Sequence, residues 1–290
     1  MNNSLAMESN QSNTKKEEIF RLFDENRTPG FGFLDFSDKT PPPPPPSLEI
    51  PASDTSRNKT KYNVEPVNTC GLTLLKGRVS TQEVFSLADS DLVPGKYEGG
   101  LKLWEGSLDL ITALNSEMKH QKLSFKGKRV LELGCGHGLP GIFACLQGST
   151  AVHFQDFNVE VLKCLTIPNV NANLENFSPE DRTNVETRFF SGDWAEVELD
   201  RAAGYDVILM AETVYSVPAL PNLYKLIKRC LSCPGGVVYF AAKKYYFGVG
   251  GGSRRFLSIV EKDGVLGSSL VAEVADGSSN LREVWKLYFK

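Results

Sequence analysis

At 290 residues, with 41% hydrophobic and 23% charged side chains, the chain has the make-up of a soluble globular protein that can bury one good core. A formal net charge of −3 excludes a dominant electrostatic footprint for free nucleic acid, so direct nucleic-acid binding is not expected and a basic partner fits better. No stretch of 18 apolar residues and no apolar leader occur, which excludes a spanning helix and a secretory signal.

In chain order, residues 1–65 differ in kind from the rest, with Asn and Ser first, then Pro41 through Pro46, then Ser, Thr, Asp and Lys. Such a segment buries too little apolar surface to offset its ordering entropy, so it reads as a disordered tail carrying a polyproline II run. Within it, Glu17 to Phe23 has the spacing of one amphipathic turn. The globular part is expected over 66–290. Thr69 to Leu75 and Arg78 to Ser80 read as a short strand pair, and Gly99 to Met118 as a helix with Leu101, Trp104, Leu108, Ile111 and Leu114 on one face. Strands then alternate with helices: strands at 129–133, 151–155, 187–190, 205–210 and 236–242, helices at 139–147, 158–173 and 219–231. Leu266 to Ala275 and Arg282 to Phe289 close the chain as two strands around Asp276-Gly277. The alternation predicts an α/β, Rossmann-like fold: seven strands, mostly parallel, helices on both faces and an antiparallel C-terminal hairpin. That is the layout of class I methyltransferases.

The six cysteines are scattered, as reduced thiols of the cytoplasm or nucleus would be. Cys230-Leu231-Ser232-Cys233 lacks a second pair and nearby histidines, so no metal site is expected.

In an open α/β sheet, ligands sit beyond the carboxyl ends of the strands. After the first strand of the alternating series, Gly134, Gly136 and Gly138 stand on every second position, with Glu132 two residues ahead. A dinucleotide fingerprint needs Gly-x-Gly-x-x-Gly, and an acid so close would repel a pyrophosphate. It would attract the ammonium of an amino acid. The next strand ends at Gln155-Asp156-Phe157, where Asp156, 24 residues after Glu132, suits a ribose diol. The two acids together fit S-adenosyl-L-methionine, which carries an ammonium, a sulfonium and no phosphate. After the third strand, Gly192-Asp193-Trp194 offers Asp193 to an adenine amino group and Trp194 to its face, unless the indole simply packs in the core.

Methyl transfer is an in-line displacement, so the protein mainly aligns a neutral nucleophile and excludes water. The residues after the fourth strand therefore discriminate substrates. They are Ala211-Glu212-Thr213-Val214-Tyr215, neither the Asp/Asn-Pro-Pro-aromatic run of adenine methylases nor the Cys of cytosine-C5 enzymes. Glu212 and Asp193 are the candidate catalytic carboxylates, Glu212 to orient a protein nitrogen or take its proton. Phe247 to Ser253, led by Lys243, Lys244, Tyr245 and Tyr246, reads as a substrate-facing lip and has no P-loop Gly-Lys-Ser/Thr.

Taken together, YEGGLKLWE (97–105), VLELGCGHG (130–138), HFQDF (153–157), TIPNVN (166–171), FFSGDW (189–194), ETVY (212–215) and YFGVGGG (246–252) resemble the eukaryotic histidine protein methyltransferases, a seven-strand family related to many lysine methylases. The resemblance covers about residues 90–260. It implies methylation of an imidazole nitrogen of one histidine in a large-subunit ribosomal protein; a monomer of the cytoplasm and nucleus is expected. It also implies donor binding by Leu103, Trp104, Glu105, Gly106 and Ser107, by Gly134, by Gln155, Asp156 and Phe157, by Gly192, Asp193 and Trp194, and by Ala211 or its neighbours. Glu132 departs from the Asp of the human-type motif, and Gly106-Ser107 from a Cys-Thr pair. A lysine methyltransferase, or a non-catalytic S-adenosylmethionine-binding assembly factor, is the alternative.

Overall fold

The central strands are near-continuous apolar runs, such as Val207–Ala211 and Val237–Lys243, because both faces of the sheet are covered. The computed structural model describes residues 43–54, 62–87, 90–175, 185–199, 204–275 and 281–290. The strands are β1 (Leu48–Ile50), β2 (Asn63–Thr69), β3 (Leu72–Arg78), β4 (Arg129–Leu133), β5 (Ala151–Asp156), β6 (Glu186–Ser191), β7 (Val207–Ala211), β8 (Val237–Lys243), β9 (Leu266–Val274) and β10 (Arg282–Phe289). The helices are α1 (Thr81–Phe85), α2 (Glu105–Lys119), α3 (Leu139–Leu146), α4 (Val159–Val161), α5 (Ile167–Glu175), α6 (Leu220–Cys230) and α7 (Ser253–Asp263).

Eight strands form one sheet in the order β1-β6-β5-β4-β7-β8-β10-β9. The five from β6 to β8 are parallel, while β1 at one edge and β10 near the other run antiparallel to their neighbours. Val130, Leu209 and Tyr239 enter the core beneath α2, α3 and α5; Leu131, Ile208, Met210 and Phe240 enter a second core beneath α6 and α7. The chain starts its alternating series at β4, moves outward to β5 and β6, and returns to β7 on the other side. The carboxyl end of β4 is thus the topological switch point.

Seven of these strands match the predicted layout. The eighth, β1, lies inside the predicted tail, so the tail reading fails over the described residues 43–54 and 62–65. Ile50 is buried in the core and its strand pairs with β6, so tertiary pairing overrides a polar, proline-flanked sequence. The amphipathic turn at Glu17 to Phe23 and the Asp276-Gly277 turn lie outside the described residues. The first hairpin also differs: it runs from Asn63 to Arg78 around Cys70-Gly71, both at positive φ. The helix expected from Gly99 begins only at Glu105, with Trp104 as its N-cap. Between α4 and α5 the chain widens into a π turn, Leu162–Thr166, beside Pro168, which has no N–H for the carbonyl of Cys164.

The β2–β3 hairpin is held to α5 by two buried amides. Asn173 Oδ1 accepts the Leu75 N–H at 2.8 Å while its Nδ2 donates to the Leu75 carbonyl at 2.6 Å, which imitates one rung of a β-ladder. Asn169 Oδ1 accepts from Gly77 N–H at 2.6 Å, and its Nδ2 donates to the His137 carbonyl at 2.9 Å. Replacing Asn173 by Ala leaves both Leu75 groups without their side-chain partner, and a loss of about 2 kcal/mol is expected from the denaturant midpoint. A midpoint unchanged from the parent chain would show that water replaces the amide.

Candidate active site

The turn after β4 is built from glycines because two other segments press against it. Gly134 and Gly136 have φ of +61° and +48°, in the left-handed region. A Cβ on Gly134 would stand 2.7 Å from Thr213 Cγ2, and one on Gly136 would stand 3.0 Å from the carbonyl oxygen of Gly100. Thr166 Oγ1 donates to the Gly136 carbonyl at 2.6 Å from below.

Glu132 does not take the place expected of it. Its side chain turns inward, 2% exposed, and Oε2 accepts the Gly141 N–H at 2.8 Å, which caps the first turn of α3. Burial pushes its carboxyl well above the usual range. On a parallel strand both faces are interior, so the carboxylate meets the first turn of the helix packed on it.

Asp156 keeps its expected position. Oδ2 accepts the Gly136 N–H at 2.9 Å and Oδ1 the Asn158 N–H at 3.0 Å, with the Phe157 N–H also turned to the carboxylate. Burial raises its pKa to about 6, against the pull of those amides. Gln155 is a brace. Its Nε2 donates to the Gly192 carbonyl at 2.8 Å, and its Oε1 accepts from the Trp194 indole at 2.9 Å and from Gly134 N–H at 3.4 Å. One amide therefore ties together the turns after β4 and β6. Trp194 is half-buried: it packs against the second core, stands 3.8 Å from the Cβ position of Gly134, and has its indole N–H fixed by Gln155. Asp193 Oδ1 accepts from Ala195 N–H at 2.8 Å, within its own turn, which sets it apart from Glu212. Phe157 is half-buried beside them.

The segment before α2 lies across the glycine turn. Tyr97 is buried and its hydroxyl accepts the Leu101 N–H at 3.0 Å, the Trp104 indole donates to the Gly99 carbonyl at 3.0 Å, and Asn158 Nδ2 donates to the Lys96 carbonyl at 2.9 Å. A Cβ on Gly100 would stand 3.2 Å from Asp156 Oδ2. Leu103 packs on the first core, Glu105 is exposed and Ser107 is half-buried at the start of α2. Lys102 and Lys243 flank the Trp104 ring at 4.5 and 5.8 Å from its centre.

Beyond β7 the chain reaches a second chemical centre. After Ala211, Glu212 has a φ of +58°, a strained conformation for a side chain of this kind. Its Oε2 accepts a hydrogen bond from Tyr246, while Oε1 is buried with no partner, 2.7 Å from where a Cβ on Gly106 would stand. Burial raises the Glu212 pKa, opposed by the Tyr246 hydroxyl and the Lys243 charge. Tyr215 donates to Glu98 and stands edge-on to Tyr246, with ring centres 6.4 Å apart. The Gly252 N–H donates to the Val214 carbonyl at 2.9 Å, so the loops after β7 and β8 are stitched together. The lip beyond them leaves Phe247 75% and Tyr245 53% exposed. Tyr246 and Glu98 were missed as site residues, although both lie in the glycine-rich stretches of the sequence. Among the described residues no group of three His, Cys, Asp or Glu side chains is placed to hold a metal ion.

This sheet order, with a glycine turn at the switch point and an acid closing the next strand, defines the class I methyltransferase architecture. The family described as "Lysine methyltransferase" matches residues 94–263, more than half of the chain, and the chain belongs to it. A "Histidine protein methyltransferase 1 homolog" of Dictyostelium discoideum is 45% identical over 199 residues, 68% of this chain and 60% of that protein. The Mus musculus homologue is 39% identical over 209 residues, 65% of this chain and 56% of that protein. "EEF1A lysine methyltransferase 3" of Mus musculus is 30% identical over 146 residues, 49% of this chain and 55% of that protein. The chain thus spans 56–60% of the length of the two histidine methyltransferase relatives named here.

Proposed function

We propose that the chain transfers a methyl group from S-adenosyl-L-methionine to an imidazole nitrogen of a histidine in a protein substrate. The observation that carries the choice of acceptor is its relatedness: 45% identity over 68% of the chain to a histidine protein methyltransferase homologue, against 30% over 49% to a lysine enzyme. The resemblance of the sequence motifs extends the proposal to a large-subunit ribosomal protein, met in the cytoplasm or nucleus.

The residues present fit the donor. The left-handed glycine turn brings backbone close to the switch point, and the Asp156 carboxylate stands beside that turn at the end of β5, where a ribose diol can meet it. Gly134, Gly136, Asp156, Phe157 and the Gly192–Trp194 turn would hold it, with Gln155 as the brace behind. Bound there, S-adenosylmethionine supplies a sulfonium methyl that leaves by in-line displacement.

The chain's own part is alignment. Glu212 Oε1, bare and held in place by Tyr246, accepts the N–H of the substrate ring on the nitrogen that is not attacked. That hydrogen bond fixes the tautomer whose other nitrogen carries the lone pair. As the new N–C bond forms and the S–C bond breaks, the ring becomes cationic, and Glu212 can take the proton it holds. Tyr215, Tyr246 and Trp104 supply the aromatic surround.

Labelled donor, incubated with the full chain and ribosomal protein from cells lacking the enzyme, should give methylhistidine after acid hydrolysis. Label confined to methyllysine would transfer the assignment to the lysine branch. Donor affinity should also fall as pH drops through about 6, because Asp156 accepts hydroxyl hydrogen bonds best when ionised. An Asp156→Asn variant should bind weakly with a flat pH profile in calorimetric titrations of S-adenosylhomocysteine; an unchanged pH dependence would remove Asp156 from the ribose site.

A further inference from the structure

The arm that carries β1 lies outside the family match, which begins at residue 94, yet it ends on the donor site. Leu48, Glu49 and Ile50 pair with Ser191, Phe190 and Phe189 of β6. Ile50 is buried in the first core, Glu49 meets Arg188 through two bonds of 2.8 Å each, and Ser47 Oγ accepts the Glu198 N–H at 2.8 Å. The backbone of Pro46 and Ser47 is thereby laid against Gly192. A Cβ on Gly192, whose φ is +135°, would come within 3.2 Å of both the Pro46 carbonyl oxygen and Ser47 Cα.

Gly192 is pressed from two sides. On the inner side its carbonyl takes the Gln155 amide, the group that also holds Trp194 and Gly134. The Gly192 N–H donates to the Asp156 carbonyl of β5 at 3.1 Å, and on the outer side the backbone of the arm closes over it. The N–H groups of Ala195, Glu196 and Val197 all donate to Asp193 and close the turn on itself, so Gly192 is the hinge by which it meets β6.

We propose that residues 46–50 are a positioning element of the donor site: docked on β6, they hold the Gly192–Trp194 turn in the conformation that receives the adenosyl end. This rests on the donor reading given above. The arm touches no donor atom, so it acts through the fraction of molecules whose turn is competent, and releasing it raises the apparent dissociation constant by the inverse of that fraction.

The test is titration of the full-length chain with S-adenosylhomocysteine. Ile50→Asp, which puts a charge into the core slot, should free the arm, seen as new protease cleavage between residues 43 and 54. Its dissociation constant should rise about tenfold if a tenth of the turns remain competent, while Ile50→Val stays near the parent. Parent affinity in Ile50→Asp with the arm cleavable overturns the proposal. No binding in the parent chain overturns the donor reading and this proposal with it. Should Ile50→Asp not fold, Glu49→Arg and Arg188→Glu are each expected to weaken binding and the double swap to restore it; equal affinities in all three overturn the role of the arm.

Discussion

Glu212→Gln is expected to lower kcat by roughly a hundredfold or more, while donor affinity and the melting temperature stay near those of the parent chain. The amide is the same size and can still receive the Tyr246 hydroxyl, but it holds no charge for the ring that becomes cationic and takes no proton from it. A second substitution removes the whole side chain. Glu212 sits at φ +58°, where a side chain costs of order 1 kcal/mol and glycine costs nothing comparable. Glu212→Gly relieves that strain but leaves the Tyr246 hydroxyl without its acceptor, so it should melt near or below the parent temperature and be at least as inactive. The acid limb of the kcat profile should lie above that of an exposed carboxylate, since burial raises the Glu212 pKa, and it should vanish in Glu212→Gln. Full activity in either variant would assign proton handling to another group.

Gly136→Val should abolish donor binding and destabilise the domain by about 3 kcal/mol or more. At φ +48° a β-branched residue is held in a region that costs L-residues roughly 1–2 kcal/mol, and its Cβ would meet the Gly100 carbonyl, a backbone atom that cannot rotate away. Gly264 provides the comparison. It has φ +76° at the end of α7, and nothing stands within 4 Å of its Cβ position. Gly264→Ala should cost only the conformational part, about 1 kcal/mol, and leave donor binding intact. If the two variants unfold at the same denaturant concentration, the contact between Gly136 and Gly100 contributes nothing.

The parts of the fold that are local in sequence are legible there. Alternating strands and helices, the terminal hairpin strands and the glycine turn all follow from period and turn chemistry within a few residues. Glu132 could be placed at the right strand end but not oriented, because alternation on a fully buried strand does not say which interior an acid enters. The pairing of Glu212 with Tyr246, 34 positions later, depends on β7 and β8 being neighbours and is invisible in either segment alone. The strand Leu48–Ile50 has three residues in a proline-rich setting, below the length at which any period can be read.

That same strand has a consequence for association between molecules. A parallel sheet ending at β6 would expose a row of free backbone donors and acceptors to any passing chain. The antiparallel β1 covers that row, and its own outer rim is cut to three residues between Pro46 and Pro51, whose nitrogens carry no hydrogen to donate. The rim is thus too short and too interrupted to template a further strand, so the sheet is protected at this edge against self-assembly.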